Sequence, residues 1–291
     1  MKTHVWLALV LAWTATATAA EWKLIWSDEF DKPGLPDSAR WDYETGFIRN
    51  DEQQLYTRDR KENARVEDGM LVIEARKERL KNPAFDPAAK GGKKGGRGRE
   101  FAEYTSASLT TRGKTAWTYG KIEVRAKLPK GRGTWPAIWT LGTNIREAGW
   151  PACGEIDIME FVGFDPGVVH SNVHMKKYNH MKKTGKGDKL ALPDASDAFH
   201  VYALEWTPDR LDFFVDDKKH FSFENEKSGV DAWPFDKDQY LILNLAIGGA
   251  WGGQKGIDDA IFPQRLTVDY VRVYQREGDK PAAAPAKPPE K

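Results

Sequence analysis

Short segments in which apolar and charged residues alternate recur along this chain. In KIEVRAKL, residues 121–128, every second residue is apolar and the others are charged, and VDYVRVYQ, residues 268–275, follows a similar alternation. A period of two places one set of side chains on a buried face and the other in solvent, as in a half-buried strand. Gly, Pro and Asp separate such segments, and no helical pattern of about 10 to 15 residues lies between them. The sequence therefore predicts an all-β sandwich of two antiparallel sheets.

The composition leaves room for a substantial core and gives no sign of a polyanionic partner. The chain has 291 residues, is 40% hydrophobic and carries a formal net charge of +1. A nearly balanced charge gives no reason to expect a nucleic acid or an anionic membrane as partner, and we expect a monomer. Cys153 is the one cysteine, so no intramolecular disulfide can form. We interpret it as a small packed side chain rather than a nucleophile.

The first twenty residues predict a secretory signal peptide. They contain a basic start at Lys2, an apolar run over residues 5–13 and small residues up to Ala20. The run is shorter than the roughly 20 residues a membrane span needs, which argues against the alternative of an anchor. We expect cleavage after Ala19 or Ala20, a secreted or periplasmic protein, and no membrane contact after cleavage.

The remaining chain divides into one domain, residues 21–277, and a Pro/Ala-rich tail, residues 278–291. Within the domain, the segment KNPAFDPAAKGGKKGGRGR, residues 81–99, is basic and rich in glycine. It predicts a surface loop, with a mobile flap beside a binding cleft as the alternative.

Three carboxylates stand close together in GEIDIMEF, residues 154–161. In a regular strand Glu155 and Asp157 share one face, whereas Glu160 falls on the other. A β-bulge near Met159, in which two residues occupy the place of one, would turn Glu160 to the face of Glu155. We predict that bulge; the alternative is a regular, solvated acidic strand.

Tryptophans bracket this acidic segment. Trp135, Trp139 and Trp150 lie within sixteen positions, each near Gly or Pro. Flat aromatic faces suit the C–H faces of sugar rings, although core packing explains single tryptophans equally well. Aromatic platforms beside paired carboxylates suggest glycoside hydrolysis. The Cα atoms of Glu155 and Glu160 would lie roughly 13 Å apart, whereas retaining hydrolysis needs carboxyl groups about 5 to 5.5 Å apart, so we expect a concave sheet.

The acidic segment resembles the E-x-D-x-x-E signature of glycoside hydrolase family 16, in the bulged form typical of laminarinases, the endo-1,3-β-glucanases. Similar blocks occur in family order over nearly the whole mature chain. They are WSDEFD, RNDEQQLYT, GMLVIEAR, YGKIEVRAKLPKGRGTWPAIWTLG, FHVYALEW, NLAIGGAWGG and DYVRVYQ.

This resemblance implies a jelly-roll sandwich with a substrate groove on a concave sheet, and a retaining double displacement. It implies Glu155 as nucleophile, Asp157 as assisting carboxylate and Glu160 as general acid/base. The implied substrate-binding residues are Asn50, Trp135, Trp139, Trp150, His174 and Trp251.

The resemblance also implies that no cofactor is required for the chemistry, and that a structural calcium ion is held far from the groove. Its implied ligands are Glu29, the Gly69 carbonyl and Asp269, and oxygen ligands of this kind suit calcium. A histidine-based metal site at His170 and His174 is a weaker alternative, because no acidic third ligand stands at a telling spacing.

The expected function is that of a secreted endo-β-glucanase that hydrolyses β-1,3-glucan. Alternatives within the family are a mixed-linked 1,3-1,4-glucanase, an algal galactan hydrolase or a transglycosylase. A non-catalytic glucan-binding protein is disfavoured because both Glu155 and Glu160 are present. The basic 81–99 segment and the lysine-rich residues 175–192 could border the groove and favour an anionic glycan.

Overall fold

A computed structural model describes residues 21–89, 96–277 and 279. The predicted signal peptide, nearly all of the predicted tail and residues 90–95 of the basic segment lie outside these residues. Within the described ranges the chain is built almost wholly from strands, and no helix there is long and apolar enough to cross a membrane. The prediction of an all-β protein is confirmed.

The strands in chain order are β1 (Lys23–Asp28), β2 (Asp42–Glu44), β3 (Gln54–Tyr56), β4 (Ala64–Glu67), β5 (Met70–Lys81), β6 (Phe101–Ser106), β7 (Ser108–Thr110), β8 (Gly120–Lys127), β9 (Thr134–Gly142), β10 (Glu155–Phe161), β11 (Val168–His174), β12 (Lys186–Ala191), β13 (His200–Trp206), β14 (Arg210–Val215), β15 (Lys218–Glu224), β16 (Gln239–Ile247) and β17 (Gln264–Gln275). The helical elements of the described residues are α1 (Ile145–Ala148) and two 3-10 turns, His180–Lys182 and Asp259–Ile261.

The strands form two sheets. In the described part of the chain the larger sheet follows the order β15-β14-β13-β8-β17-β5-β6-β3, with β1 also paired to β17 and β4 to β5. The smaller sheet follows the order β12-β11-β10-β9-β16-β7-β2. The pairs are antiparallel as expected, apart from β3 and β6, which run parallel with Gln54 opposite Tyr104.

Alternation in the sequence becomes alternation in burial along β8. Ile122, Val124 and Ala126 are buried, whereas the charged residues between them are partly exposed. The alternation predicted for β17 is interrupted, because its register with β8 shifts between Val268 and Tyr270. The extra residue lets Val268 and Val271 both lie in the core. The structure therefore does not place Val268 and Tyr270 on one face, as the alternation had predicted.

The core lies between the two sheets. One cluster of buried apolar side chains contains residues from both, such as Val124 of β8 and Ile158 of β10. Burying a large apolar side chain contributes about 1.5–3 kcal/mol. The core therefore holds β10 in place from its inner face, while the opposite face of the smaller sheet is left to build a site. Cys153 is fully buried, in agreement with its interpretation as a packed side chain.

Candidate active site

A β-bulge lies in the middle of β10. Between Asp157 and Glu160 the chain advances three residues while β11 advances two, from Asn172 to His170. The register with β9 shifts at the same place, between Asp157 and Met159. Ile158 and Met159 are consecutive, yet both are buried in the core cluster. Glu160 therefore returns to the face that carries Glu155 and Asp157, and the predicted bulge is confirmed.

Strand β11 places a second row of polar side chains beside the carboxylates. His174 lies opposite Glu155, Asn172 opposite Asp157, and His170 opposite the third carboxylate, Glu160. Directly opposed residues on antiparallel strands point to the same face. The carboxylates and these three side chains therefore form one polar patch on the outer face of the smaller sheet.

Glu155 is held by an indole and approached by an imidazole. Trp150 Nε1 donates a hydrogen bond to Glu155 Oε2 at 2.8 Å, and His174 Nε2 lies 3.8 Å from Glu155 Oε1. A donor directed at a carboxylate oxygen stabilises the charged form. These two neighbours oppose the effect of burial, which raises the pKa of Glu155.

Asp157 is the most deeply buried of the three carboxylates, with 3% of its surface exposed. His174 Nε2 lies 3.3 Å from Asp157 Oδ2, and Glu155 stands two residues away on the same face of β10. The Asp157 carboxyl group therefore lies between the two glutamates along the strand and beside the imidazole of His174.

Glu160 receives one donor at each carboxyl oxygen. Trp135 Nε1 donates to Oε1 at 3.1 Å, and Asn172 Nδ2 donates to Oε2 at 3.0 Å. The two bonds fix the plane of the carboxyl group, yet they occupy only two of its roughly four acceptor positions. Room remains for a proton and for a substrate oxygen.

Burial changes the protonation of the whole cluster. It raises the pKa of Glu155 well above its usual range, with the Asp157 charge as the second cause. It likewise raises the pKa of Asp157, where Glu160 adds to the effect, and the pKa of Glu160 itself. Three close carboxylates cannot all ionise in a buried site. The cluster therefore retains protons under conditions that would fully ionise three isolated carboxylates.

Aromatic rings form a wall at each end of the carboxylate row. At the Glu160 end, Trp251 packs edge-on against Trp135, with ring centroids 5.6 Å apart, and against His170 at 5.0 Å. At the Glu155 end, Trp150 lies beside His174 at 6.0 Å. The structure thus brings Trp135, Trp150, Trp251 and His174 together around the carboxylates.

Trp139 occupies a different place from the other predicted tryptophans. It is 7% exposed, its Nε1 donates to Asn244 Oδ1 at 2.7 Å, and the Arg49 guanidinium lies 4.8 Å from its ring centroid. Trp139 pairs with Asp157 across β9 and β10, so its ring lies beside the carboxylate row on the same face, with one side of the ring covered by Arg49.

Asn50 joins the site through its backbone. It has a positive φ of 56°, and its carbonyl accepts a hydrogen bond from Ala250 N at 2.7 Å. Its side chain donates to Glu52 Oε1 at 3.3 Å. Asn50 therefore anchors the loop that carries Trp251, and its exposed side chain stays beside that loop.

Two residues at the site were missed by sequence reasoning. Asn172 contacts Glu160, and the ring of His180 lies 5.3 Å from that of Trp150 and 5.1 Å from that of His174. Asn172 is separated from Glu160 by a turn whose register the sequence does not reveal, and His180 stands in a lysine-rich loop outside any strand. Only knowledge of the strand pairing and loop path could have identified them.

A metal ion could be held within the carboxylate row. Glu155, Asp157 and His174 each offer a ligand atom, and these atoms lie within 4.8 Å of one another. The acidic partners of His174 come from the neighbouring strand, which explains why the spacing along the chain did not indicate them. His170, the expected second histidine, is not part of this group.

The predicted calcium ligands converge on one stretch of β17, but their carboxylates are engaged. Arg272 donates to both oxygens of Glu29, at 3.0 and 2.7 Å. Asp269 accepts from Arg125 Nη1 at 2.5 Å. Gly69 lies in the turn before β5, whose Leu71 pairs with Val268. As arranged here, this donor set does not fit calcium, because both carboxylates are neutralised by arginine.

The two basic segments both approach the site. Arg99, at the end of the 81–99 segment, donates to the Glu52 carbonyl at 3.2 Å and covers the Phe47 ring at 4.7 Å. The lysine-rich segment contributes β12, which extends the sheet beyond β11. Lys189 lies opposite His170 and therefore shares the face of the carboxylates.

Comparison with protein families identifies one match. The model of the family described as Glycosyl hydrolases family 16 matches residues 51–272. A beta-glucanase from Rhodothermus marinus is 52% identical over 266 residues, which is 88% of this chain and 86% of that protein.

Solved structures show the same fold. The laminarinase from Rhodothermus marinus superposes with a TM-score of 0.79 at 50% identity, covering 89% of this chain and 99% of that one. A mutant of SCLam, described as a non-specific endo-β-1,3(4)-glucanase and co-crystallised with 1,3-β-D-cellotriosyl-glucose, gives a TM-score of 0.78 at 47% identity, covering 89% and 97%.

Proposed function

We propose that this chain, which belongs to glycosyl hydrolases family 16, is an endo-β-1,3-glucanase that cleaves laminarin-type glucan by retaining double displacement. One observation carries the proposal. The bulge in β10 places Glu155, Asp157 and Glu160 on one face, and each glutamate receives an indole N–H from a different wall of the site. Two carboxyl groups flanking a sugar-binding surface are what glycoside hydrolysis requires.

In the first step Glu155 attacks the anomeric carbon. The Trp150 N–H and the nearby His174 favour its carboxylate form. Glu160 protonates the departing sugar oxygen at the same time. Burial supports this role because it raises the pKa of Glu160 and keeps its proton in place.

In the second step the roles of Glu160 reverse. Having lost its proton, it removes one from the water that attacks the glycosyl–Glu155 ester, and the product leaves with retained configuration. The hydrogen bonds from Trp135 and Asn172 then stabilise its transient negative charge. The sugar rings pack against the aromatic walls at the two ends of the row.

The proposal is tested by a reducing-sugar assay on laminarin with Glu155→Gln and Glu160→Gln. Each variant keeps the shape of the side chain but cannot transfer a proton or attack, and we expect losses of about 10⁴-fold or more. Glu147→Gln, an exposed glutamate in α1, is the matched control and should retain full activity. Unchanged turnover in Glu155→Gln would refute the mechanism.

Mixed-linked glucan is the second candidate substrate, because SCLam, 47% identical to this chain, is described as a non-specific endo-β-1,3(4)-glucanase. Rates on laminarin, lichenan and agarose separate the possibilities. Cleavage of laminarin alone supports the primary proposal; comparable rates on laminarin and lichenan support a broader glucanase. Cleavage of lichenan or agarose without laminarin would show that the substrate assignment is wrong.

We also propose that residues 1–20 direct export and that the enzyme is secreted or periplasmic. N-terminal sequencing of the exported protein tests this and should begin at residue 20 or 21. The calcium ion expected at Glu29, Gly69 and Asp269 is not part of this proposal, because Arg272 and Arg125 already neutralise the two carboxylates.

A further inference from the structure

Asn172 reaches Glu160 because of the bulge. In the β10–β11 pairing Asn172 stands opposite Asp157, one pair away from Glu160. Its Nδ2 nevertheless donates to Glu160 Oε2 at 3.0 Å. The bulge displaces Glu160 along the strand relative to β11, so a side chain from the neighbouring pair is the one that meets the carboxyl group.

The opposite end of the Asn172 amide lies against a glycine on β12. Asn172 pairs with Gly187, and a Cβ placed on Gly187 would lie 2.1 Å from Asn172 Oδ1 and 2.9 Å from its Cγ. Contacts this short would force the amide to move. The same Cβ would lie 2.5 Å from the Ser171 carbonyl oxygen, so the backbone of β12 would shift as well.

A second glycine two positions away shows that this requirement is local. A Cβ on Gly185 would meet nothing closer than 3.9 Å, the distance to His180 N. Neither glycine has a positive φ, so their backbone conformations do not explain the difference. The glycine at 187 is needed for space, and that space is filled by the Asn172 amide.

We infer that Asn172 is the positioning residue for the acid/base Glu160, and that Gly187 supplies the space its amide occupies. Trp135 also donates to Glu160, but its ring forms part of the aromatic wall as well. Within the described residues, the side chain of Asn172 forms one hydrogen bond, and Glu160 accepts it. Its contribution is orientation: it aims one oxygen of the acid while leaving a lone pair free for the glycosidic oxygen.

This inference rests on the proposed function, since it assigns a role in proton transfer to the leaving group. Proton transfer matters most when the leaving group is a poor one. A residue that positions the acid should therefore affect sugar leaving groups strongly and activated aryl leaving groups weakly. A residue that only maintains the fold or binds sugar should affect both alike.

The experiment measures kcat/KM for Asn172→Ala and Asn172→Asp on a laminarin oligosaccharide and on a 2,4-dinitrophenyl β-laminaribioside. Losing a hydrogen bond to the carboxylate that develops as Glu160 gives up its proton predicts a roughly tenfold to hundredfold loss on the oligosaccharide. On the aryl glycoside, whose leaving group needs no proton, we expect less than about a threefold loss. Asn172→Asp preserves the shape, so it separates loss of the donor from loss of packing.

Equal losses on both substrates, or no loss on the oligosaccharide, would overturn the inference. A wild-type protein that cleaves neither substrate would instead overturn the proposed function. The Gly187→Ala and Gly185→Ala pair tests the second part. Gly187→Ala should repeat the loss confined to the oligosaccharide, and Gly185→Ala should match the wild type; equal behaviour of the two would refute the role given to Gly187.

Discussion

Ile158 and Met159 are neighbours in a strand, yet both side chains enter the core, with 2% and 1% of their surfaces exposed. Two consecutive inward residues break the alternation of β10 once. Every residue beyond them is shifted by one, so Glu160 faces the same side as Glu155. The position of the acid/base thus depends on how two apolar residues pack beneath it.

Deleting Ile158 should remove the bulge without moving Glu160 to the other face. The shortened strand would alternate regularly and match β9 and β11 without a register shift. We expect a folded enzyme with reduced but measurable activity, and a loss of about 2–5 kcal/mol in the free energy of unfolding because a buried side chain is removed. Denaturant unfolding and the laminarin assay measure the two effects.

Deleting Ile156 is the matched control, because the same kind of buried side chain is lost. Here Glu155 and Asp157 become adjacent and must point to opposite faces. We expect no detectable activity from this variant. Comparable activity in the two deletion variants would show that catalysis does not depend on which face of β10 the carboxylates point to.

Trp150→Phe should shift the pH dependence of kcat/KM. The indole N–H donates to Glu155 and stabilises its carboxylate form, so losing the donor raises the pKa of this residue. Because the nucleophile must be ionised, the acidic limb of the profile should move to higher pH, and kcat/KM at the optimum should fall about tenfold. An unshifted acidic limb would show that the hydrogen bond does not tune the nucleophile.

Glu155→Gln should stabilise the protein near pH 7 and not near pH 4. Burial raises the pKa of Glu155 in the folded state, so the folded protein binds more protons than the unfolded chain above about pH 4, and stability falls as pH rises. Glutamine removes this penalty. We expect the Tm of Glu155→Gln to exceed that of the wild type by roughly a few degrees at pH 7. This difference in Tm should vanish below about pH 4. A difference independent of pH would contradict this explanation.

His180→Ala should weaken substrate binding. The His180 ring packs beside Trp150 and His174, and its loop is fixed by Asn179, whose side chain accepts from Lys182 N. Loss of an aromatic pair of this kind costs about 0.5–1.5 kcal/mol, so KM should rise roughly twofold to tenfold with a smaller change in kcat. The adjacent Met181→Ala, at a position 74% exposed, should leave KM unchanged. A rise in KM in both variants would show that the weaker binding comes from a disturbed loop and not from loss of the His180 ring.

Chelation should leave the melting temperature unchanged. Arg272 and Arg125 neutralise Glu29 and Asp269, so no uncompensated charge there requires a cation. Metal analysis of the purified protein, with Tm measured before and after chelation, checks this. Stoichiometric calcium together with a fall in Tm would instead support the metal site predicted from the sequence.

Properties that follow from local periodicity were accessible from the sequence alone. Alternation in residues 121–128 predicted a half-buried strand, and the misfit of Glu160 with the alternation of residues 155–160 predicted the bulge. Both succeed because side-chain direction in a strand repeats every two residues, whatever the strand pairs with.

Contacts between strands were decided by the tertiary structure. Asn172 meets Glu160 through the register of β10 and β11, Trp139 is covered by Arg49, and Glu29 is paired with Arg272. Register depends on how whole strands pack over a shared core, and a shift of one residue would exchange every such partner. The sequence by itself therefore determined which carboxylates perform the proposed chemistry, and only the folded sheets decided which side chains hold them.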